Sequence, residues 1–207
     1  MDRSKPDHFS IKAKQAGFPA RSVFKLQEID RKYKVFKRGD RVLDIGAAPG
    51  SWSMWAAQRV GAEGSVIGVD LKDFRLPAGY SRVAVLTGDA FSVEIQEELG
   101  GYGPFDVILS DAAPATTGNR TVDTARSGAL AEECIRCSSS LLRSGGKLVF
   151  KLFQGGEEQQ LMQQLRQIFR TVKTFKPKSS RKDSFELFFI ADGYRAPGSG
   201  PESAGAT

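Results

Sequence analysis

From residue 41 onward the chain alternates short, nearly all-apolar runs with longer amphipathic stretches, and few folds accept that order. Residues 41–46 (RVLDIG) read as a strand, after which Trp52, Trp55, Ala56 and Val60 recur at the spacing of one helical face. Residues 65–70, 82–86 and 105–110 read as further strands, the last following a turn at Gly103-Pro104. A long helix is expected over 124–142, stopped before Gly145-Gly146. Residues 147–150 form the next strand, and Leu161, Leu165 and Ile168 mark another helix. Two last strands are expected over 171–176 and 184–191. Strands that are apolar throughout are buried on both faces, so the pattern predicts an α/β fold: a mostly parallel, seven-stranded sheet with helices on both faces. The loop between the last two strands is too short for a helical crossover, so the last strand is expected to run antiparallel.

The 207 residues suffice for one such domain with a full core. Residues 41–194 are expected to form it, behind a basic helical segment over 1–40 packed on the core. The stretch 195–207, rich in Gly, Ser, Pro and Ala, is expected to be a disordered tail. The formal net charge of +6 is unevenly spread. Residues 1–41 hold 12 Lys/Arg against 5 Asp/Glu, whereas 42–172 hold 12 against 15, so the basic excess lies outside the domain's middle. A basic surface attracts phosphate backbones through counterion release, although a solvated positive face would look the same. No run approaches the roughly 20 apolar residues of a membrane span, and the start of the chain has no apolar leader core. A soluble, cytoplasmic protein is expected. The only cysteines, Cys134 and Cys137, share one helical face with Leu130 and Leu141. They read as core residues rather than a metal or redox pair, and no metal site is expected.

In a sheet of this kind, ligands bind beyond the carboxyl ends of the strands. The first strand runs into Gly46-Ala47-Ala48-Pro49-Gly50-Ser51-Trp52, a glycine-bearing turn that opens a helix. Small residues let backbone approach a ligand, and the helix start offers free N–H groups. A dinucleotide fingerprint counted from Gly46 would need glycine at 48 and 51, where the chain has Ala48 and Ser51; this counts against a dehydrogenase. Asp70 ends the second strand, where a carboxylate can accept both hydroxyls of an adenosine ribose. Asp89 follows the third and could take the adenine amino group. The set resembles the S-adenosylmethionine site of Rossmann-like class I methyltransferases. Asp44 could instead be structural, holding the loop through backbone N–H groups.

Four more residues stand where chemistry could occur. Asp111 follows the fourth strand in Ser110-Asp111-Ala112-Ala113-Pro114, and Lys151 follows the fifth in Val149-Phe150-Lys151-Leu152-Phe153-Gln154-Gly155. Glu186 lies in the last strand among Phe185, Leu187, Phe188, Phe189 and Ile190, so its carboxylate needs a partner or water. Lys25 lies in the basic segment, in Arg21-Ser22-Val23-Phe24-Lys25-Leu26. Taken singly, a Lys or Asp at a strand end is also what a residue leaving the core for solvent looks like.

With these motifs the chain resembles the FtsJ/RrmJ family of ribose 2′-O-methyltransferases, from about Asp7 to Gly193. Members carry D-x-G-A-A-P-G-x-W, S-D-x-A-P, V-x-K-x-F-Q-G and a late S-x-E, with R-x-x-F-K-L before the first core strand. The resemblance implies a catalytic tetrad, which falls on Lys25, Asp111, Lys151 and Glu186. It implies S-adenosylmethionine contacts at Gly46, Gly50, Trp52, Asp70, Asp89 and Asp111. There are two departures. Relatives often have Arg-Ser-Arg where this chain has Pro19-Ala20-Arg21, which puts an RNA contact at Ala20 in question. They often have Tyr two residues after the Glu, where Phe188 lacks the hydroxyl and receives no catalytic role.

The implied reaction is in-line methyl transfer to a ribose 2′-oxygen, taken to be that of a uridine in 23S rRNA of the 50S subunit, by a monomer. Lys151 is expected to orient the 2′-hydroxyl and take its proton, or to stay charged and stabilise the developing alkoxide. Asp111 would hold Lys151, and Lys25 and Glu186 would complete the network. Basic residues Lys12, Lys14, Arg21, Arg31, Lys32 and Lys34, with Lys176, Lys178, Arg181 and Lys182, would grip phosphates. Alternative substrates are transfer RNA or a messenger cap. A non-catalytic RNA-binding assembly factor is the alternative of another class.

Overall fold

The computed structural model describes residues 7–181 and 183–197, so Lys182 and the tail beyond 197 lie outside the described residues. Helices α1 (His8–Gln15) and α2 (Val23–Tyr33) precede the core. There follow β1 (Arg41–Ile45), α3 (Ser51–Val60), β2 (Ser65–Asp70), β3 (Val83–Thr87), α4 (Val93–Tyr102) and β4 (Phe105–Ser110). The chain ends with α5 (Arg120–Leu141), β5 (Leu142–Phe153), α6 (Glu158–Ile168), β6 (Phe169–Phe175) and β7 (Glu186–Tyr194). The sheet order is β3-β2-β1-β4-β5-β7-β6. All neighbours pair in parallel except β7, which is antiparallel to both β5 and β6.

Alternation along each strand sorts side chains into two cores. Leu43, Ile108, Phe150 and Phe189 point to the face covered by Leu99 of α4, Cys134 of α5 and Leu165 of α6. Val42, Leu109, Val149 and Phe188 point to the other, under Leu26 and Ile29 of α2 and Trp52 and Ala56 of α3. A smaller cluster of Ala13, Phe18, Val23, Phe24 and Met54 fastens α1 and α2 to α3. Cys134 and Cys137 are free, buried thiols, and burial pushes the Cys134 thiol up to about 12.

The two largest boundary differences from expectation fall at the starts of α5 and β5. α5 starts at Arg120, four residues early, because Asn119 caps it by accepting from the Val122 N–H. β5 begins at Leu142 and passes through Gly145-Gly146, since Leu142 pairs with Phe105 before a register shift restores pairing at Val107 and Lys147.

Phe150 is fully buried on central β5 and stacks on Phe189, ring centroids 5.2 Å apart. Phe150→Ala is therefore expected to cost about 3–5 kcal/mol of unfolding free energy, read from the urea midpoint at unchanged slope. A loss below about 1 kcal/mol would contradict this packing.

Candidate active site

The chain runs outward from β1 through β2 to β3, then returns to β4 on the other side of β1. The loops after β1 and β4 therefore diverge and open a crevice at the carboxyl edge. Gly46 lies where they come closest. Its φ is +75°, and an added Cβ would stand 2.6 Å from the Cβ of Ala112, so a side chain here would drive the loops apart. Gly50 caps α3 at φ +99°, where a Cβ would meet Leu76 at 2.2 Å. It offers no side-chain acceptor to the leading N–H groups of α3.

The cleft measures about 750 Å³, and Gly46, Asp70, Asp89 and Asp111 line it together with Val69, Leu71, Phe91, Pro114 and Leu130. Asp70 accepts from the Ala48 and Lys72 N–H groups, each at 2.9 Å, and so fastens the glycine loop. Asp89 accepts from the Phe91 N–H at 3.0 Å. The loop-holding role expected of Asp44 thus falls to Asp70. Asp44 is fully buried beneath the loop and accepts from the Ser53 hydroxyl at 2.6 Å, tying the first turn of α3 to β1. Burial pushes its carboxyl up to about 7; the Ser53 hydrogen bond opposes this, and Asp111 and Asp70 add to it.

Trp52 does not line the cleft. Its indole is buried against Phe188 at 5.7 Å and donates to the Ser22 carbonyl at 2.9 Å. The ring braces α2; what remains to Trp52 for a ligand is its backbone N–H in the first turn. Gly50 is likewise outside the lining and shapes the turn.

The four separated charges come together. Lys25 on α2 donates to Glu186 at 2.8 Å and lies 3.6 Å from Asp111. Lys151 donates to the Asp111 carboxylate at 2.9 Å and to the Asp111 carbonyl at 2.6 Å. The chain Glu186–Lys25–Asp111–Lys151 alternates in sign, so each charge has an opposite partner within 4 Å, the condition under which charges tolerate burial. The Lys151 side chain is only 8% exposed. It opens on a second cavity of about 560 Å³, lined also by Arg21, Lys25, Arg181, Glu186 and the rings of Phe153 and Phe185. Asp111, which lines the first cavity, is thus bonded to Lys151, which lines the second. Phe188 lies behind, its ring 5.7 Å from the Lys25 ammonium, and presents nothing polar.

Reciprocal bonds hold α2 in place. The Ala20 N–H donates to the Ser51 hydroxyl at 2.8 Å, and that hydroxyl donates back to the Ala20 carbonyl at 3.2 Å. Ala20 therefore anchors the segment through its backbone. Glu28 accepts from the Lys178 and Ser179 N–H groups, both at 2.8 Å, which draws the β6–β7 loop onto α2. Arg21 pairs with Asp7 and donates to the Ser179 carbonyl. Burial, then nearby Arg181, lower its pKa, while Glu186 opposes. Among the described residues no cluster of His, Cys, Asp and Glu is arranged to hold a metal ion, and no helix is long and apolar enough to cross a membrane.

The profile of the FtsJ-like methyltransferase family matches residues 18–194. The chain is 47% identical over 196 residues to the ribosomal RNA large subunit methyltransferase E of Nitratidesulfovibrio vulgaris, covering 93% of this chain and 96% of that protein. It is 49% identical over 187 residues to the protein of the same name from Syntrophobacter fumaroxidans, covering 89% and 93%. Its fold is similar to a crystal structure from Plasmodium falciparum described, provisionally, as a ribosomal RNA methyltransferase. There the TM-score is 0.73 at 28% identity, over 84% of this chain and 97% of the other.

The buried Asp44 carboxyl has a pH consequence. Its folded pKa of about 7 exceeds its unfolded value, so between about pH 4 and 7 the folded state binds the extra proton. Its contribution to stability then falls as pH rises through that window and levels off above it. Asp44→Asn removes this titration while keeping an acceptor for Ser53. The unfolding free energy of the variant minus that of the wild type is expected to rise from pH 5 to pH 8. A difference independent of pH would mean that Asp44 stays ionised when folded.

Proposed function

The chain belongs to the FtsJ-like methyltransferase family, and from that premise we propose that it methylates a ribose 2′-hydroxyl, that of a uridine, in large-subunit ribosomal RNA, using S-adenosylmethionine. The observation that carries the reading is the charge chain Glu186–Lys25–Asp111–Lys151, which stands between an acidic cleft and a basic one.

The first cleft suits S-adenosylmethionine in chemistry and size. Its volume is within the range of small-molecule sites. Asp70 and Asp89 keep lone pairs free for hydroxyl and amino donors after accepting from backbone amides. Val69, Leu71 and Phe91 offer apolar wall for an adenine, and the uncapped start of α3 offers N–H groups for a carboxylate. Three carboxylates favour a cationic sulfonium. Bound there, S-adenosylmethionine supplies a methyl group that the sulfonium makes electrophilic.

The chain's own residues position and deprotonate the nucleophile. Asp111 takes two hydrogen bonds from Lys151, one on its carbonyl and one on its carboxylate. These fix the amine and use two of its N–H bonds, so the fourth tetrahedral direction of Nζ is left for substrate. An ammonium there donates to the 2′-oxygen and stabilises developing negative charge; a neutral amine presents a lone pair that accepts the hydroxyl proton. Lys25 and Glu186 hold Asp111 in place and complete the local neutrality. Only RNA offers a 2′-hydroxyl. The basic wall that grips its phosphates combines Arg21 and neighbouring α2 cations with Lys176, Lys178 and Arg181 of the loop that Glu28 ties down.

The test uses methyl-labelled S-adenosylmethionine with unmodified large subunits, naked ribosomal RNA and transfer RNA, followed by nucleoside analysis. Label is expected in 2′-O-methyluridine from large-subunit RNA; label in transfer RNA alone would overturn the substrate. Lys151→Ala should lower turnover about a hundred- to ten-thousandfold while leaving cofactor affinity intact. Full activity in that variant would remove Lys151 from the chemistry. Asp70→Ala should act the other way, weakening cofactor binding about ten- to a hundredfold by titration calorimetry, since charge-assisted hydrogen bonds are lost. An unchanged affinity would refute its role.

A further inference from the structure

Phosphates and a ribose need only polar and charged groups, yet one wall of the cavity at Lys151 is aromatic. Phe153 and Phe185 both reach it, and both are only partly buried, whereas Phe150, Phe188 and Phe189 on the same strands are wholly enclosed. Their centroids lie 4.9 Å apart with planes tilted by 56°. Phe153 follows Lys151 by two residues on β5 and so shares its face; its ring centroid is 5.8 Å from the lysine ammonium. Phe185 stands just before β7, where its carbonyl accepts from the Gln154 N–H at 2.8 Å and its ring meets Phe153.

Arg120 strengthens the case. It is the first residue of α5, where a cation opposes the helix dipole, and among the described residues no carboxylate lies within ion-pair reach of it. Its guanidinium instead lies 5.3 Å from the Phe185 ring centroid. A cation held against its local electrostatic preference, over an aromatic ring and beside a cleft for a polyanion, is placed to meet a nucleotide.

We propose that Phe153 and Phe185, backed by Arg120, form a stacking platform for the nucleobase of the nucleotide being methylated. The carbon bearing that base adjoins the carbon bearing the 2′-oxygen, so a ribose held at Lys151 brings its base alongside Phe153. Aromatic faces accept bases by stacking once those bases are free of their own helix. The enzyme therefore acts on an unpaired nucleotide, or on one swung out of its stack, and the platform offsets part of the cost of unstacking. This inference rests on the RNA reading above and deepens it: the 2′-hydroxyl alone is an incomplete substrate.

The test separates base from ribose. Large subunits would be reconstituted from RNA in which the methylated nucleotide either keeps its base or is abasic with its 2′-hydroxyl intact. Methylation kinetics would be compared for the wild type and for Phe185→Ala, Phe185→Leu and Phe185→Trp, with cofactor affinity measured for each. The wild type should lose about ten- to a hundredfold in kcat/KM when the base is removed. Phe185→Ala and Phe185→Leu should lose a comparable factor on intact substrate and discriminate less between the two substrates. Phe185→Trp should discriminate as the wild type does, and cofactor affinity should be unchanged throughout. Because Leu keeps most of the buried volume, a packing defect alone would leave its discrimination intact, and that result overturns the platform. So does a wild type that methylates both substrates equally. Absence of 2′-O-methylation on any RNA would instead remove the underlying reading, and the platform with it.

Discussion

In the register of β5 against β7, Phe153 faces Glu186 and Lys151 faces Phe188. This pairing is possible only because β7 runs against its neighbours. Residues at the start of a parallel strand lie at the sheet's opposite edge from residues at a strand's end. Reversal carries Glu186, the first residue of β7, to the carboxyl edge where β4 delivers Asp111 and β5 delivers Lys151. The alternation of strand faces then puts Lys151, Phe153 and Glu186 on the side covered by α2, which supplies Lys25.

Once two carboxylates are brought to a nearly dry edge, two cations must accompany them. Removing one member of a buried ion pair typically costs 3–5 kcal/mol, because the remaining charge is left without a partner. Lys25 cannot come from the sheet, so α2 must be held to within a hydrogen bond's tolerance. The bonds that hold it are made to the first turn of α3: the Trp52 indole to the Ser22 carbonyl, and the Ser51 hydroxyl to both backbone groups of Ala20. The turn that follows β1 therefore shapes the cofactor cleft on one side and positions a member of the charge chain on the other. This accounts for the Trp52 ring's lying in the core while Gly46 and Ala48, earlier in the same turn, line a cleft.

The sheet's inner strands were legible because they are apolar on both faces, a pattern that survives at the level of single residues. α4 was not marked, since Leu99 is its one buried position and a single apolar contact leaves no period to read. The early part of β5 was hidden by Gly145-Gly146, which usually ends an element but here passes through a bulge. At the site, Asp70, Asp89 and Asp111 were visible as strand-end carboxylates, because the crevice rule locates them without any contact map. Lys25 and Glu186 stand 161 positions apart, and no spacing rule joins them; only the family resemblance did. That Asp70 rather than Asp44 holds the loop was unreadable for another reason. Both lie at or next to the end of a strand beside the glycine loop, and burial distinguishes the one bonded to Ser53 from the one bonded to Ala48.

Departures from local preference concentrate around the two clefts. A buried carboxyl sits under the glycine loop, a lone arginine opens a helix, and two phenylalanines are left partly open beside charged groups. Cavity size marks the cofactor cleft, at about 750 Å³, but not the cavity at Lys151. A hollow of about 590 Å³ lies near Ala57, Tyr80 and Arg82, slightly larger than the one at Lys151. Yet its only charged side chain is Arg82, and its walls are otherwise small, apolar or neutral. A sequence selected for folding alone would have few reasons to bury Asp44 or to place Arg120 against the α5 dipole. Asp44 lies beneath the loop that lines the cofactor cleft, and Arg120 lies over the Phe185 ring that lines the cavity at Lys151. The cavity at Lys151 is therefore located by the charged groups that converge on it, not by its size.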